Sequence, residues 1–293
     1  MPDPLAAARP LASVLTRGLR RWRARRANYG TAIGDIDPAT VSPETAINFQ
    51  CNLCGSPNSA PLSHLSRETP SCSTCGSNMR FRAMAHLVVR EMLGRDLALP
   101  AAPRHRDIAG LGLSDVAAYA RPLADKFDYE NTWYHTAPQL DIANVPRSRF
   151  GRYDFVLASD VFEHVAPPVS RAFENARKLL KPGGKFIFTV PFSLETETIE
   201  HFPDLHDWSL AERNGAWQLA NTTVAGEHQT FDDLVFHGGP GTTLEMRLFS
   251  RAGLEREFAR AGFARVRIAA EPYLPFGIHW PEPFSVPMVA YAT

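Results

Sequence analysis

Cys51-Asn52-Leu53-Cys54-Gly55 and Cys72-Ser73-Thr74-Cys75-Gly76 are two Cys-x-x-Cys knuckles with seventeen residues between them. At that spacing two turns can fold back on each other and present four thiolates tetrahedrally, the ligand set of a closed zinc site. Each knuckle ends in glycine, which permits the positive φ that turns backbone amides toward sulfur and offsets thiolate charge. These are all the cysteines of the chain. A redox dithiol or a catalytic thiolate would leave two or more of them unexplained. A structural zinc held by Cys51, Cys54, Cys72 and Cys75 uses them all and leaves no open coordination position. His64, between the knuckles, reads as a surface or packing histidine.

A second group of reactive residues follows an apolar run. Tyr153 to Ser159 (YDFVLAS) is nearly all apolar, which predicts a parallel strand covered on both faces, and Asp160-Val161-Phe162-Glu163-His164-Val165 is the loop at its carboxyl end. A helix through Ala172 to Leu180, the turn Lys181-Pro182-Gly183-Gly184 and a second apolar strand, Lys185 to Val190, complete a βαβ unit. Upstream, Asp107 to Leu113 predicts a strand running into a glycine turn, and Ser114 and Asp115 predict a helix start that continues to about Phe127. Ligands of open α/β sheets bind at the carboxyl ends of the strands, which is where Glu163 and His164 stand.

The stretch YDFVLASDVFEHV, a helix, and then KLLKPGGKFIFTVPF closely resembles the centre of class I S-adenosylmethionine-dependent methyltransferases of the small-molecule, type 11-like kind. The resemblance covers about 104 to 293 and implies an α/β, Rossmann-like, seven-stranded sheet, here with a small N-terminal zinc ribbon. It further implies S-adenosylmethionine as cofactor, with the family's glycine turn on Gly110, Leu111 and Gly112. The family's adenine-facing acid falls on Asp141, and Ile142 would cover one face of the ring. Where the family ends its second strand with an acid that accepts the ribose hydroxyls, this chain offers His135, with Glu130 upstream and Asp160 as a further acceptor. His135 and Asp141 are six residues apart, so the usual helix between the second and third strands has no room.

Methyl transfer from a sulfonium needs an aligned nucleophile and a proton acceptor, and His164 and Glu163 are the catalytic candidates. The alternative for this pair is to order the loop beneath the cofactor. The Asn/Asp-Pro-Pro-Tyr signature of exocyclic amine methylation is replaced by Ser-Asp-Val-Phe, which points toward oxygen. From 193 to 250 an insertion rich in His, Asp and aromatics reads as a lid over a small-molecule or glycan substrate. Within it, His201, Asp204 and His206 could hold a metal or a hydrogen-bonded loop. Methylation of ribosomal or transfer RNA is the second expectation, and an inactive zinc-dependent scaffold the third.

The whole chain bounds these readings. It has 293 residues with 31 basic and 31 acidic side chains, a formal net charge of zero, so no global field steers it to nucleic acid or a membrane surface. Apolar runs fall far short of the roughly 20 residues that span a bilayer, and no secretory signal is visible. The expectation is a cytoplasmic protein with reduced cysteines. The charge is uneven: Met1 to Asn28 carries seven arginines against Asp3 alone. Leu11, Val14, Leu15, Leu19 and Trp22 recur among them at helical spacing, so this arm could meet anionic lipid, RNA or an acidic protein, or be a solvated tail. The expected organisation is arm and linker (1 to 48), zinc ribbon (49 to 78), connecting helix (79 to 103) and methyltransferase domain (104 to 293). Arg80, Arg82 and Arg90 on that helix are candidates for a phosphate.

Overall fold

Ile47 and Phe49 alternate with exposed neighbours on β1 (Ala46–Gln50), which pairs antiparallel with β2 (Pro57–Pro61). The computed structural model describes residues 37 to 293 except 214 and 238, so the basic arm lies outside the described residues. The chain divides into two units. The first comprises the described residues up to Arg104 together with Ala117–Lys126 and Ile268–Val286. The second comprises His105–Val116, Phe127–Arg267 and Pro287–Thr293.

In the first unit, helix α1 (Met79–Leu93) starts where Asn78 accepts the backbone N–H of Phe81 and stops at Gly94, in the left-handed region at φ 66°. Met84, Leu87 and Val88 are buried at three- and four-residue spacing, while Met92, at the end of the same stripe, is half-buried. Helix α2 (Ala117–Lys126) also belongs here, and Lys126 caps the carbonyls of Pro100 and Ala102. The late segment joins them because its apolar residues complete two small cores. Leu274 packs with Ile47, Phe49 and Leu62, while Phe276 and Ile278 pack with Met79 and Ala83. The first segment of the unit ends at Arg104, close to the expected start of the methyltransferase domain, and the unit also takes in Ala117–Lys126 and Ile268–Val286 from further along the chain.

The second unit is built on a six-stranded sheet. Its strands are β3 (His105–Leu113), β4 (Phe127–Thr132), β5 (Tyr153–Ser159), β6 (Leu180–Thr189), β15 (Arg265–Ile268) and β16 (Met288–Tyr291), in the order β15-β16-β6-β5-β3-β4. Strands β4, β3, β5 and β6 are parallel neighbours, and β16 runs antiparallel to β6. Seven strands were expected. At the place of the missing strand a loop closes by the isolated bridge Trp133 to Gln139, because the few residues after Thr132 cannot make a crossover of a dozen or more.

Helix α3 (Ser170–Leu179) joins β5 to β6 and buries Ala172, Phe173, Ala176 and Leu179. Phe173 meets the rings of Phe162, Phe188 and, on helix α4 (Arg251–Arg260), Phe258. The insertion before α4 is itself folded. It holds β7 (Phe192–Ser193), β8 (Ile199–Glu200), the antiparallel meander β9 (Asp207–Arg213), β10 (Ala216–Thr222) and β11 (His228–Phe231), then β12 (Phe236–His237), β13 (Thr243–Leu244) and β14 (Arg247–Ser250). Phe202, Leu219, Leu244 and Met246 form its own apolar core. No helix among the described residues is long and apolar enough to cross a membrane.

Candidate active site and cysteine cluster

The two knuckles fold alike. Cys51 N–H donates to Ser56 O and Gly55 N–H to Cys51 O (2.9 and 2.7 Å), while Cys72 N–H donates to Ser77 O and Gly76 N–H to Cys72 O (3.1 and 2.9 Å). Gly55 and Gly76 have φ of 82° and 68°, the conformation that the glycines predict. The sulfurs of Cys51 and Cys75 lie 3.7 Å apart, as do those of Cys54 and Cys72. His64 stands outside this cluster, at the end of an exposed turn.

Beside the sulfurs, Arg82 is fully buried and ties the unit together. It donates to Ser77 O (2.9 Å), Ser71 Oγ (2.9 Å), Phe276 O (2.8 Å) and Gly277 O (2.9 Å), and its guanidinium lies over the Phe49 ring. Burial pulls its pKa down, while Cys51, Cys72 and Cys75 oppose that shift. Arg80 pairs with Glu68 (2.7 Å) and Arg90 stands 3.7 Å from Asp96. All three arginines thus hold structure, where the sequence also allowed a phosphate.

In the second unit the predicted glycine turn is displaced. Gly110, Leu111 and Gly112 lie inside β3, paired with Tyr129, Glu130 and Asn131 of β4. A Cβ on Gly110 would meet the Phe155 ring at 2.1 Å, and one on Gly112 would meet Tyr129 Oη at 1.9 Å and Asp115 Oδ2 at 2.4 Å. These two glycines make room for the neighbouring side chains. The chain turns instead at Ser114, whose φ is 57°. Ser114 N–H donates to Thr132 O (2.7 Å), and buried Asp115 accepts the Tyr129 hydroxyl. Its backbone exchanges hydrogen bonds with the Asn131 side chain (3.0 and 2.8 Å).

Asp160, at the carboxyl end of β5, is a second non-glycine residue in the left-handed region, with φ 55°, and donates its N–H to Thr189 O of β6 (2.8 Å). Such conformations cost free energy and gather at functional sites. His135 is exposed on the loop after β4, its ring against Tyr134. Glu130, by contrast, is held by Arg149 at 2.6 and 3.1 Å. Asp141 accepts Ala143 N–H (2.8 Å) and Asn144 Nδ2 (2.6 Å), one on each carboxylate oxygen, and buried Ile142 is tied through its carbonyl to Asn175 of α3 (2.9 Å).

Glu163 and His164 sit on a short turn, Phe162–His164, anchored by the buried Phe162 ring. The Glu163 side chain is 1% exposed and that of His164 13%. His164 Nδ1 lies 2.9 Å from Leu244 O, so Nδ1 carries the proton and Nε2 is left to accept. Burial lowers the His164 pKa below its ordinary value. Nε2 faces His237 Nδ1 at 3.3 Å and stands 3.7 Å from Glu163 Oε1. Glu245 then bridges two histidines, His201 Nε2 at 2.8 Å and His237 Nε2 at 3.1 Å.

Buried Arg247 fixes the turn beneath, donating to Val165 O (2.6 Å), Phe162 O (3.1 Å) and Glu200 (2.7 Å). The sequence assigns no role to Glu245 or Arg247. Their two-residue spacing, which puts both on one side of an extended chain, was the available signal. His206 and Asp204 do not join His201 in a ligand cluster. The His206 N–H and the Asp204 carbonyl both bond the Asn221 side chain instead (2.9 and 3.0 Å).

A methyltransferase domain family model matches residues 75 to 268. A highly reducing polyketide synthase of Hypocrea jecorina is 28% identical over 174 residues, 52% of this chain, and a lovastatin diketide synthase of Aspergillus terreus is 39% identical over 77 residues, 25% of this chain. The chain spans only 7% and 3% of those proteins' lengths. Among solved structures, a sugar N-methyltransferase from Streptoalloteichus sp. ATCC 53650 aligns with TM-score 0.41 and 16% identity, covering 72% of this chain and 87% of that one. An amino pentose methyltransferase from Micromonospora echinaspora aligns with TM-score 0.40 and 15% identity, covering 72% and 90%. At these values the substrates of the neighbours say nothing of this chain. The family match, over well more than half its length, does: the chain belongs to the methyltransferase domain family and is a methyltransferase.

Proposed function

We propose that this methyltransferase takes its methyl group from S-adenosylmethionine at the carboxyl ends of β3, β4 and β5 and passes it to an oxygen of a small polar acceptor or glycan precursor. The observation that carries this reading is the cluster of Glu163, His164, His237 and Glu245 at the carboxyl end of β5, beside the left-handed Asp160. The residues present suit the donor. The Ser114 turn offers backbone at the mouth of β3, and buried Ile142 offers an apolar face. Each oxygen of Asp141 keeps a second lone pair for an exocyclic amine. His135 and Asp160 are the groups for the ribose hydroxyls.

When bound, S-adenosylmethionine supplies an electrophilic methyl on a sulfonium. The chain has two tasks: to hold an acceptor hydroxyl in line with the breaking sulfur–carbon bond, and to take its proton as the oxygen–carbon bond forms. A positioned base contributes about 10² to 10⁴ in rate, and the histidine cluster is placed for it. The folded insertion carries two of its members, His237 and Glu245, and so couples acceptor binding to the base.

The four cysteines fit a structural zinc. With zinc–sulfur bonds near 2.3 Å a tetrahedron has edges of about 3.8 Å, against the 3.7 Å separations here. A closed zinc–thiolate site suits a reducing compartment such as the cytoplasm.

A screen with methyl-labelled S-adenosylmethionine against polar metabolites, nucleotide sugars and total RNA tests the reading. Label on an oxygen of a small acceptor is expected, and label in RNA would overturn it. Asp141→Ala should weaken donor binding by about 1 to 3 kcal/mol, measured by calorimetry.

A further inference from the structure

We propose that Glu163, His164 and His237 form a metal site distinct from the cysteines, one that takes a divalent cation of the manganese, iron or zinc kind through two imidazole nitrogens and one carboxylate oxygen. One potential ligand atom from each of the three residues lies within 4.8 Å of the other two. Ligand atoms each about 2.1 Å from a metal stand about 3.0 to 3.5 Å apart at octahedral or tetrahedral angles. His164 Nε2 is 3.3 Å from His237 Nδ1 and 3.7 Å from Glu163 Oε1.

The hydrogen-bond partners decide what sits between the rings. His164 Nδ1 faces the Leu244 carbonyl, which can only accept, so His164 Nε2 presents a lone pair. His237 Nε2 faces the Glu245 carboxylate at 3.1 Å, so a neutral His237 presents a lone pair at Nδ1 as well. Two lone pairs pointed at each other repel unless a proton or a metal ion joins them. A carbonyl or carboxylate on the far nitrogen is also how metal-bound histidines are oriented and made more basic. Glu163, with its side chain 1% exposed and its carbonyl taking the Met246 N–H, is fixed to supply the anionic ligand. Two imidazoles and one carboxylate leave coordination positions open, so with the ion bound these nitrogens no longer serve as the base, and an acceptor hydroxyl on the ion would lose its proton to water more easily.

The site itself does not depend on the oxygen-acceptor reading, and its test uses neither donor nor acceptor. Mn²⁺ is the probe, because imidazole and carboxylate hold it and thiolates select softer ions. Calorimetric titration of Mn²⁺ into the full chain, with zinc content measured in parallel, should show one Mn²⁺ per chain. His237→Gln should abolish that binding while zinc content and melting temperature in metal-free buffer stay unchanged. Glu245→Gln, which keeps all three ligands, should weaken it by about 10- to 100-fold and serves as the second variant if His237→Gln folds poorly. Absence of Mn²⁺ binding by the wild-type chain, or binding unaltered in a folded His237→Gln or Glu245→Gln variant, would overturn the proposal.

Discussion

The cysteine cluster and the histidine cluster both gather groups able to hold a metal, yet they are built in opposite ways. Cys51 and Cys75 are 24 residues apart and each sits on a short turn that repeats the other's backbone hydrogen bonds. His164 and His237 are 73 residues apart and meet because Leu244 O and Glu245, at the far side of the insertion, orient the two rings. In the first case local turn geometry states the site, and the residues between the knuckles only close it. In the second the ligand atoms are placed by the packing of an inserted subdomain, so nothing in their spacing announces them.

The largest expected effect breaks the comparison at its local side. With zinc in place, Cys72→Ser should unfold the first unit, because metal binding and folding are one free energy where the core is small. Limited proteolysis should cut around 46 to 78 in the variant and spare the wild-type chain. Equal protection of both would mean that the unit folds without a complete four-thiol metal site. Arg82→Met is a step smaller. It removes a buried cation from beside the sulfurs and strips donors from the carbonyls of Ser77, Phe276 and Gly277. Removing one member of such a buried charged group costs about 3 to 5 kcal/mol, and urea unfolding should show it. Zinc affinity should fall with it, whereas an unaltered affinity would separate the arginine from the metal.

Much of this difference was legible beforehand. The knuckles, the βαβ unit and the placement of Glu163 and His164 after β5 follow from cysteine spacing and from apolar runs of strand length. The glycine turn did not, because Gly110 and Gly112 are required by Phe155 and Tyr129, residues on neighbouring strands that spacing along one strand cannot reveal. The joining of Ile268–Val286 to the first unit was equally hidden: Leu274 and Phe276 read as ordinary apolar residues until the cores they complete are seen. Gly112→Ala tests that explanation on the tertiary side. The new methyl would collide with the Tyr129 hydroxyl and the Asp115 carboxylate, so a cost of about 1 to 3 kcal/mol is expected, partly recovered in the double variant with Tyr129→Phe. Full stability of Gly112→Ala would show that β3 yields easily and that its neighbours do not require the glycine.

The smallest effect concerns Glu130, the acid upstream of His135, which the structure pairs with Arg149. The hydrogen bonds from Arg149 lower the Glu130 pKa below its ordinary 4.5, against a burial that would raise it. A carboxylate whose folded pKa is depressed contributes stability above the ordinary value and loses it as pH falls through the folded one. With zinc bound to the cysteines, acid would also protonate the thiolates and release the metal, so the total stability of the chain would fall for two reasons at once. The difference between wild type and Glu130→Gln cancels the shared part, since both keep the same cysteines. That difference should be steady from neutral pH down to about 5 and should shrink as pH falls below the ordinary 4.5. Its size stays modest because the Glu130 side chain is 37% exposed and water screens the pair. A gap that stays constant down to pH 3 would mean that Arg149 positions β4 by hydrogen-bond geometry alone, with no contribution from the charge on Glu130.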